Sequence, residues 1–220
     1  MSSAVIQLLV LAAIAVFLIL RLRSVLGTRD GFEKPPIAGP SPDAKRNRPE
    51  FEVIEGGPDR DITDHVTDGS PSAKALADMK KVEPGFNVTE FMQGARGAYE
   101  MILMAFEHGD IKDVRDFMSP EVAEAFDDVI RQRHEQGLTV ESTFVGLRDI
   151  ALNEAEFDRD SKFGEITLRL TAELIYVVRD KGGDIIEGSA TEIKRQRDVW
   201  TFGRTMGAND PNWQLVATGE

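Results

Sequence analysis

The spacing of apolar side chains changes along this chain, and each spacing predicts a different element. Residues 4–20 are continuously apolar apart from Gln7. At a rise of about 1.5 Å per residue, that run and its flanks reach about 30 Å, the thickness of a bilayer's hydrocarbon core, which predicts a transmembrane helix. From Asn87 the apolar spacing becomes three and four. Phe91, Ala95, Ala98, Ile102 and Phe106 share one helical face, Asn87 and Glu90 form a capping pair, and His108-Gly109-Asp110 ends the helix. Tyr99, Met101, Leu103 and Met104 make its second half apolar almost all round, so a central position is predicted. A short helical turn follows around Val114 and Phe117. Ser119-Pro120-Glu121 supplies an N-cap, a first-turn proline and an acid at the positive dipole end of a further helix. Val122, Phe126, Val129 and Ile130 form its stripe, and Gly137 ends it.

After Gly137 the period becomes two. Ile166, Leu168, Leu170, Ala172, Leu174, Tyr176 and Val178 alternate with Glu165, Thr167, Arg169, Thr171 and Glu173, the pattern of a long half-buried strand. Lys181-Gly182-Gly183-Asp184 predicts a hairpin turn, with Ile185 beginning the returning strand. Trp200-Thr201-Phe202 and residues 213–217 predict two more strands, joined through Asn209-Asp210-Pro211-Asn212. Helices followed by an antiparallel meander indicate an α+β domain, and a long twisted strand over N-terminal helices suggests a cone with an apolar pocket between the layers.

Between the apolar run and the domain, residues 35–84 hold eight of the ten prolines and one aromatic, Phe51, so too little apolar surface is present to offset chain entropy. The predicted organisation is a membrane anchor over residues 1–23, a flexible proline-rich linker over 24–84 and a folded domain over 85–220. Phe51-Glu52-Val53-Ile54-Glu55 has the alternation of a docking peptide, and Ala73, Leu76, Met79 and Val82 have the spacing of an amphipathic turn. Short runs match such patterns by chance, and both are read as spacer. A cleaved signal peptide needs a basic stretch ahead of the apolar run, which Met1-Ser2-Ser3 lacks. Arg21, Arg23 and Arg29 follow the run instead, which predicts an uncleaved single span with the N-terminus outside and the domain in the cytoplasm.

The net charge of −12 is concentrated in residues 85–220, which carry −11. Such a domain repels phosphate backbones, so nucleic acid is not an expected partner. With no cysteine, disulfides and thiolate metal sites are excluded. His108 and His134 precede helix-ending glycines, where a cation complements the dipole. Asp127 and Asp128 split across helix faces, and Asp158 and Asp160 lack the glycine of a metal loop. No nucleophile triad, phosphate-cradling loop or histidine-pair zinc motif is found, so neither a cofactor, a metal nor a catalytic residue is expected.

Tyr99-Glu100-Met101-Ile102, Ala105-Phe106, Gly109-Asp110, then Phe126, Ile130, Arg133 and Gly137, then residues 198–204 and 210–218 with their Trp-Thr-Phe and Asp-Pro-Asn-Trp blocks, together resemble the Tim44-like domain family. The resemblance covers roughly residues 85–218 and extends to the bacterial TimA type, which shares the N-terminal span and proline-rich linker. It implies a cone similar to nuclear transport factor two, a large apolar pocket, and a non-enzymatic adaptor at a bacterial inner membrane. It also implies protein partners, with a seventy-kilodalton chaperone among the candidates, and a role in protein transport. The acidic domain argues against direct binding to anionic lipid, and nothing in residues 35–84 corresponds to a chaperone-binding region. Large apolar positions on the predicted inner faces make Tyr99, Ile102, Phe106, Phe126, Tyr176, Trp200 and Trp213 the candidate pocket residues. Two alternatives stay open: a small-molecule isomerase or dehydratase on the same cone, and a lipid or fatty-acyl carrier.

Overall fold

Helices come first and strands second in the computed structural model, which describes residues 57–219. The expected anchor, the first part of the expected linker and the 51–55 segment lie outside those residues. Among the described residues no helix is long and apolar enough to cross a membrane. The elements are α1 (Arg60–Thr63), α2 (Pro71–Val82), α3 (Val88–His108), a 3-10 helix (Lys112–Phe117), α4 (Pro120–Gln136), β1 (Thr139–Asp158), β2 (Phe163–Arg179), β3 (Ile185–Gly188), β4 (Lys194–Thr205) and β5 (Gln214–Gly219).

The helix ends follow their capping chemistry. The Asn87 side chain accepts the Glu90 amide at 2.8 Å, and Ser119 accepts that of Val122 at 3.3 Å. Gly109 and Gly137 close α3 and α4 in the left-handed conformation that a side chain disfavours. Val129, expected on the buried stripe of α4, is exposed instead.

The strands form one antiparallel sheet in the order β1-β2-β4-β5, with β3 paired to the end of β2. β2 is central, and its Ile166, Leu168, Leu170, Ala172 and Leu174 are buried beneath the helices. β1 runs the length of β2 as an edge strand, yet sequence alternation did not reveal it. Register shifts between Phe144 and Gly146, Leu147 and Asp149, and Leu152 and Glu154 change which face successive residues point to, so no single alternation persists.

The domain does not begin at residue 85, as its composition suggested. α1 and α2 occupy part of the expected linker, and Leu76 and Met79 of α2 are each 0 % exposed. The prolines do not interrupt these helices. Pro58 precedes α1, Pro71 takes the first position of α2 behind its Ser70 cap, and Pro84 follows the helix. The spacing of Ala73, Leu76 and Met79 was a genuine helical face. α2 lies on the sheet so closely that a Cβ on Gly164 would come 2.8 Å from Met79 Cε. Its Ser72 hydroxyl accepts the Ala155 amide of β1 at 3.1 Å.

One carboxylate joins these helices. Asp61 of α1 accepts the Val88 and Thr89 amides at the N-terminus of α3, at 2.8 and 3.0 Å. Lys80 of α2 stands 2.7 Å from both Asp59 and Asp61. Burial opposes ionisation of Asp61, but the Lys80 ammonium and the two amides outweigh it and hold the carboxyl down to about 2.

Two outcomes are expected. Leu76→Ala should lower the unfolding free energy by about 2–5 kcal/mol in urea titrations; a silent substitution would return α2 to the linker. The folded value for Asp61 lies below the unfolded 3.8, so its ionisation stabilises the domain above that value and the gain fades as pH falls toward about 2. The Asp61→Asn variant should therefore be about 2 kcal/mol less stable at neutral pH, with the gap closing in acid; a pH-independent gap would disprove the carboxylate's role.

Candidate functional site

Residues 83–87 turn the chain from α2 into α3, and this turn forms one wall of a groove. The N-terminal half of α3 forms the second wall. Phe202 and Arg204 near the end of β4 and Trp213, just before β5, form its floor, and Phe117 of the 3-10 helix closes one side. The groove encloses about 330 Å³.

Its interior is aromatic. Trp213 lies 4.7 Å from Phe91 and 5.7 Å from Phe86 between ring centroids, and Phe91 meets Phe202 edge to face at 6.1 Å. Such tilted contacts fix the rings in place, so the groove is a preformed surface rather than a loose cluster. Among the lining groups, Arg204 is the cation: it is 8 % exposed and lies over the Trp213 ring at 5.2 Å. It pairs with Glu83 at 2.6 Å and donates to the Pro211 carbonyl at 2.9 Å, while its Nε is buried without a partner among the described residues. Glu83 also accepts the Gly207 amide at 2.9 Å. Burial would raise the Glu83 carboxyl, but Arg204 and that amide outweigh it and hold it below the usual range. The pair is thus ionised and mutually neutralised, and what it leaves exposed is an apolar trough suited to burying another molecule's apolar side chain.

A second, more polar cleft of about 230 Å³ lies at the opposite end of α3. Here the Tyr176 hydroxyl donates to Glu187 at 2.5 Å and accepts from Lys194 at 2.8 Å, and the ammonium lies 4.4 Å from the Tyr176 ring centre. Burial pushes the Glu107 carboxyl up in this cleft, opposed by Arg133, which stands 3.8 Å away, and by Lys194.

The structure does not bring the seven sequence-derived candidates together. Tyr99, Ile102 and Trp200 are core: the Tyr99 and Trp200 rings meet at a tilt with centroids 4.6 Å apart, and the Tyr99 hydroxyl donates to Asp198 at 2.5 Å. Phe106 and Phe126 pack on each other at 4.5 Å between α3 and α4 under the Arg133 guanidinium. Tyr176 faces the polar cleft and Trp213 the aromatic groove. One pocket lined by all seven is therefore corrected to two separated clefts and a core. The reason is that apolar size marks burial, and burial in a core and beside a groove look alike in sequence. Phe86, Met101, Phe117 and Arg204 were not foreseen at the groove. Gly94, a glycine inside the α3 pattern that lines the groove, was the available signal.

Comparison with known proteins places the chain in a family. The chain is 21 % identical over 143 residues to mitochondrial import inner membrane translocase subunit TIM44-1 of Arabidopsis thaliana, covering 65 % of this chain and 30 % of the relative. It is 23 % identical over 167 residues to the human subunit TIM44, covering 71 % and 36 %. This chain thus spans about a third of the length of either. The intermembrane space region of chloroplast protein ARC6 aligns over 58 % of this chain and 94 % of its own at 8 % identity and a TM-score of 0.40, too slight a likeness to carry an argument. The Tim44-like domain is matched over residues 72–220, from within α2 to the C-terminus. With its Asp-Pro-Asn-Trp block at the groove and two thirds of its length inside that match, the chain belongs to the Tim44-like domain family.

Proposed function

We propose that this chain is a membrane-tethered, non-enzymatic adaptor whose domain receives a protein or peptide partner in the aromatic groove, in the service of protein transport. One observation carries the reading: an apolar trough lined by Phe86, Phe91, Phe117 and Trp213 is open to solvent, while the charged pair at its edge, Glu83 and Arg204, is spent on itself. A surface of that kind binds and orients; it does not shuttle protons. The family supports the transport context, since both relatives are named as inner membrane translocase subunits. The cone similar to nuclear transport factor two is the architecture we infer for this helix-on-sheet arrangement.

Tethering rests on the apolar run of residues 4–20 with arginines behind it, which holds the domain on the cytoplasmic side of an inner membrane. The partner is a protein of that membrane or a seventy-kilodalton chaperone brought to it. An anionic lipid suits the groove poorly, because Glu90 stands at its rim and the domain as a whole is acidic.

Met101 is 48 % exposed at the groove's edge, so its replacement tests binding without disturbing the core. Met101→Glu should leave the unfolding free energy within about 0.5 kcal/mol. It should also deplete the proteins that co-purify with the full-length chain from solubilised membranes. Co-purification of the same proteins in the same amounts would exclude the groove as the receiving surface.

A further inference from the structure

The outer edge of β4 is only partly covered. β5 pairs with it from Val199 to Gly203, and β3 pairs with β2 further along. Among the described residues, Lys194–Arg197 therefore have a neighbouring strand, β2, on one side only. An uncovered stretch of that kind turns the backbone N–H and C=O of every second residue outward with no ladder partner. Lys194, Arg195 and Arg197 are exposed, so the stretch is open to solvent.

The two faces beside this edge differ in charge. On β2 the even-numbered residues lie beneath the helices, so Glu173 and Thr171 point to the open face, and Arg195 and Arg197 stand opposite them. Glu173 is 6 % exposed and serves two arginines, Arg148 at 2.6 Å and Arg195 at 3.4 Å. Arg197, and Arg169 diagonally across from it, take part in no ion pair among the described residues. Asp149 stands opposite Thr171 from the β1 side. Around Thr171 four arginines thus meet two carboxylates, a positive excess within a domain that is acidic overall. The helix-side face is unlike it. Lys194 and Gln196 line the polar cleft, where the Lys194 ammonium is held by Tyr176 and where Glu107 and Glu187 supply carboxylates.

We infer that the open edge at Lys194–Arg197 receives an extended segment of a protein partner as an added strand, and that this segment carries Asp or Glu at every second position with uncharged residues between. Side chains of an added strand alternate between faces, so two acids two residues apart meet Arg195 and Arg197, which are themselves two apart. The residues between those acids point toward Glu107 and Glu187, where a further carboxylate is repelled. Backbone hydrogen bonds along the edge supply affinity, and the arginines supply selection. Charge on an exposed edge ordinarily keeps strands from pairing at random; a basic row still refuses its own kind but admits an acidic strand. Neither a lipid headgroup nor free phosphate can extend the backbone ladder. This surface lies at the polar-cleft end of α3, away from the aromatic groove, and goes beyond the role proposed for that groove.

The test titrates the full-length chain, in a neutral detergent, into a dye-labelled synthetic peptide of roughly ten residues in which glutamate alternates with threonine, and reads fluorescence anisotropy. Arg195→Glu with Arg197→Glu should weaken binding at least about tenfold, and added salt should weaken binding to the unchanged chain. Arg197→Gln, which breaks no ion pair in the domain, should weaken it about threefold with Tm unchanged. The same peptide with N-methylated backbone amides should lose binding, as should a peptide of equal composition with its glutamates in one block. Unchanged affinity in the arginine variants overturns the inference, and so does equal binding of the N-methylated or the block peptide. Binding of anionic vesicles or inorganic phosphate without any response to the peptide overturns it as well. So does self-association that the arginine substitutions abolish, which would make another copy of this chain the occupant. If the peptide fails while Met101→Glu still depletes the proteins that co-purify with the chain, the added strand falls and the adaptor reading stands.

Discussion

The rotation of α3 about its own axis governs this domain, and a buried tyrosine sets it. Tyr99 packs at a tilt against Trp200 and donates its hydroxyl hydrogen bond to Asp198 on β4, which also accepts from the Gln196 amide at 3.0 Å. Burial and the neighbouring Asp198 push the phenol well above its ordinary range, so it stays protonated and remains a donor. A polar pair at that depth is costly if mismatched and specific if satisfied, and it resists the helix rolling on an otherwise greasy sheet. With Ala95, Tyr99 and Ile102 turned inward, geometry places Gly94, Gly97 and Met101 on the opposite side. The core contact and the exposed side of the helix are two faces of one constraint.

The segment before α3 extends this constraint to the groove. Asp61 caps α3, Lys80 ties Asp61 and Asp59 to α2, and Glu83 at the end of α2 holds Arg204 beneath Trp213. These are charge-assisted contacts made by partly buried groups, where each carboxylate has more than one donor. Removing the residues before position 85 would therefore do more than shorten a tether. It would take away a cap, the start of one groove wall and the partner of a buried arginine. The family match beginning at residue 72 fits that dependence.

The polar cleft at the far end of α3 has a different character. Its tyrosine, lysine and glutamate are linked in a chain, and the half-buried Glu107 beside them carries a carboxyl raised by burial. That arrangement lies at the opposite end of α3 from the aromatic groove. The exposed Ile185 and Ile186 lie on β3, and the exposed Ile193 immediately precedes β4.

Much of this was legible from residue order alone, because the relevant forces are local. Caps at Asn87 and Ser119, stops at Gly109 and Gly137, the alternation of β2 and the hairpin at residues 181–184 each depend on neighbours a few positions away. Other features depend on partners distant in sequence and could be decided only by the folded chain. α2 counts as domain rather than linker because Leu76 and Met79 find the sheet, and β1 pairs through bulges that erase its alternation. Trp213 faces a groove while Trp200 faces the core, although the strand pattern marks both only as large apolar residues. Local rules specify which face of an element is apolar; whether that face meets the core, a groove or water is determined by what the rest of the chain places against it.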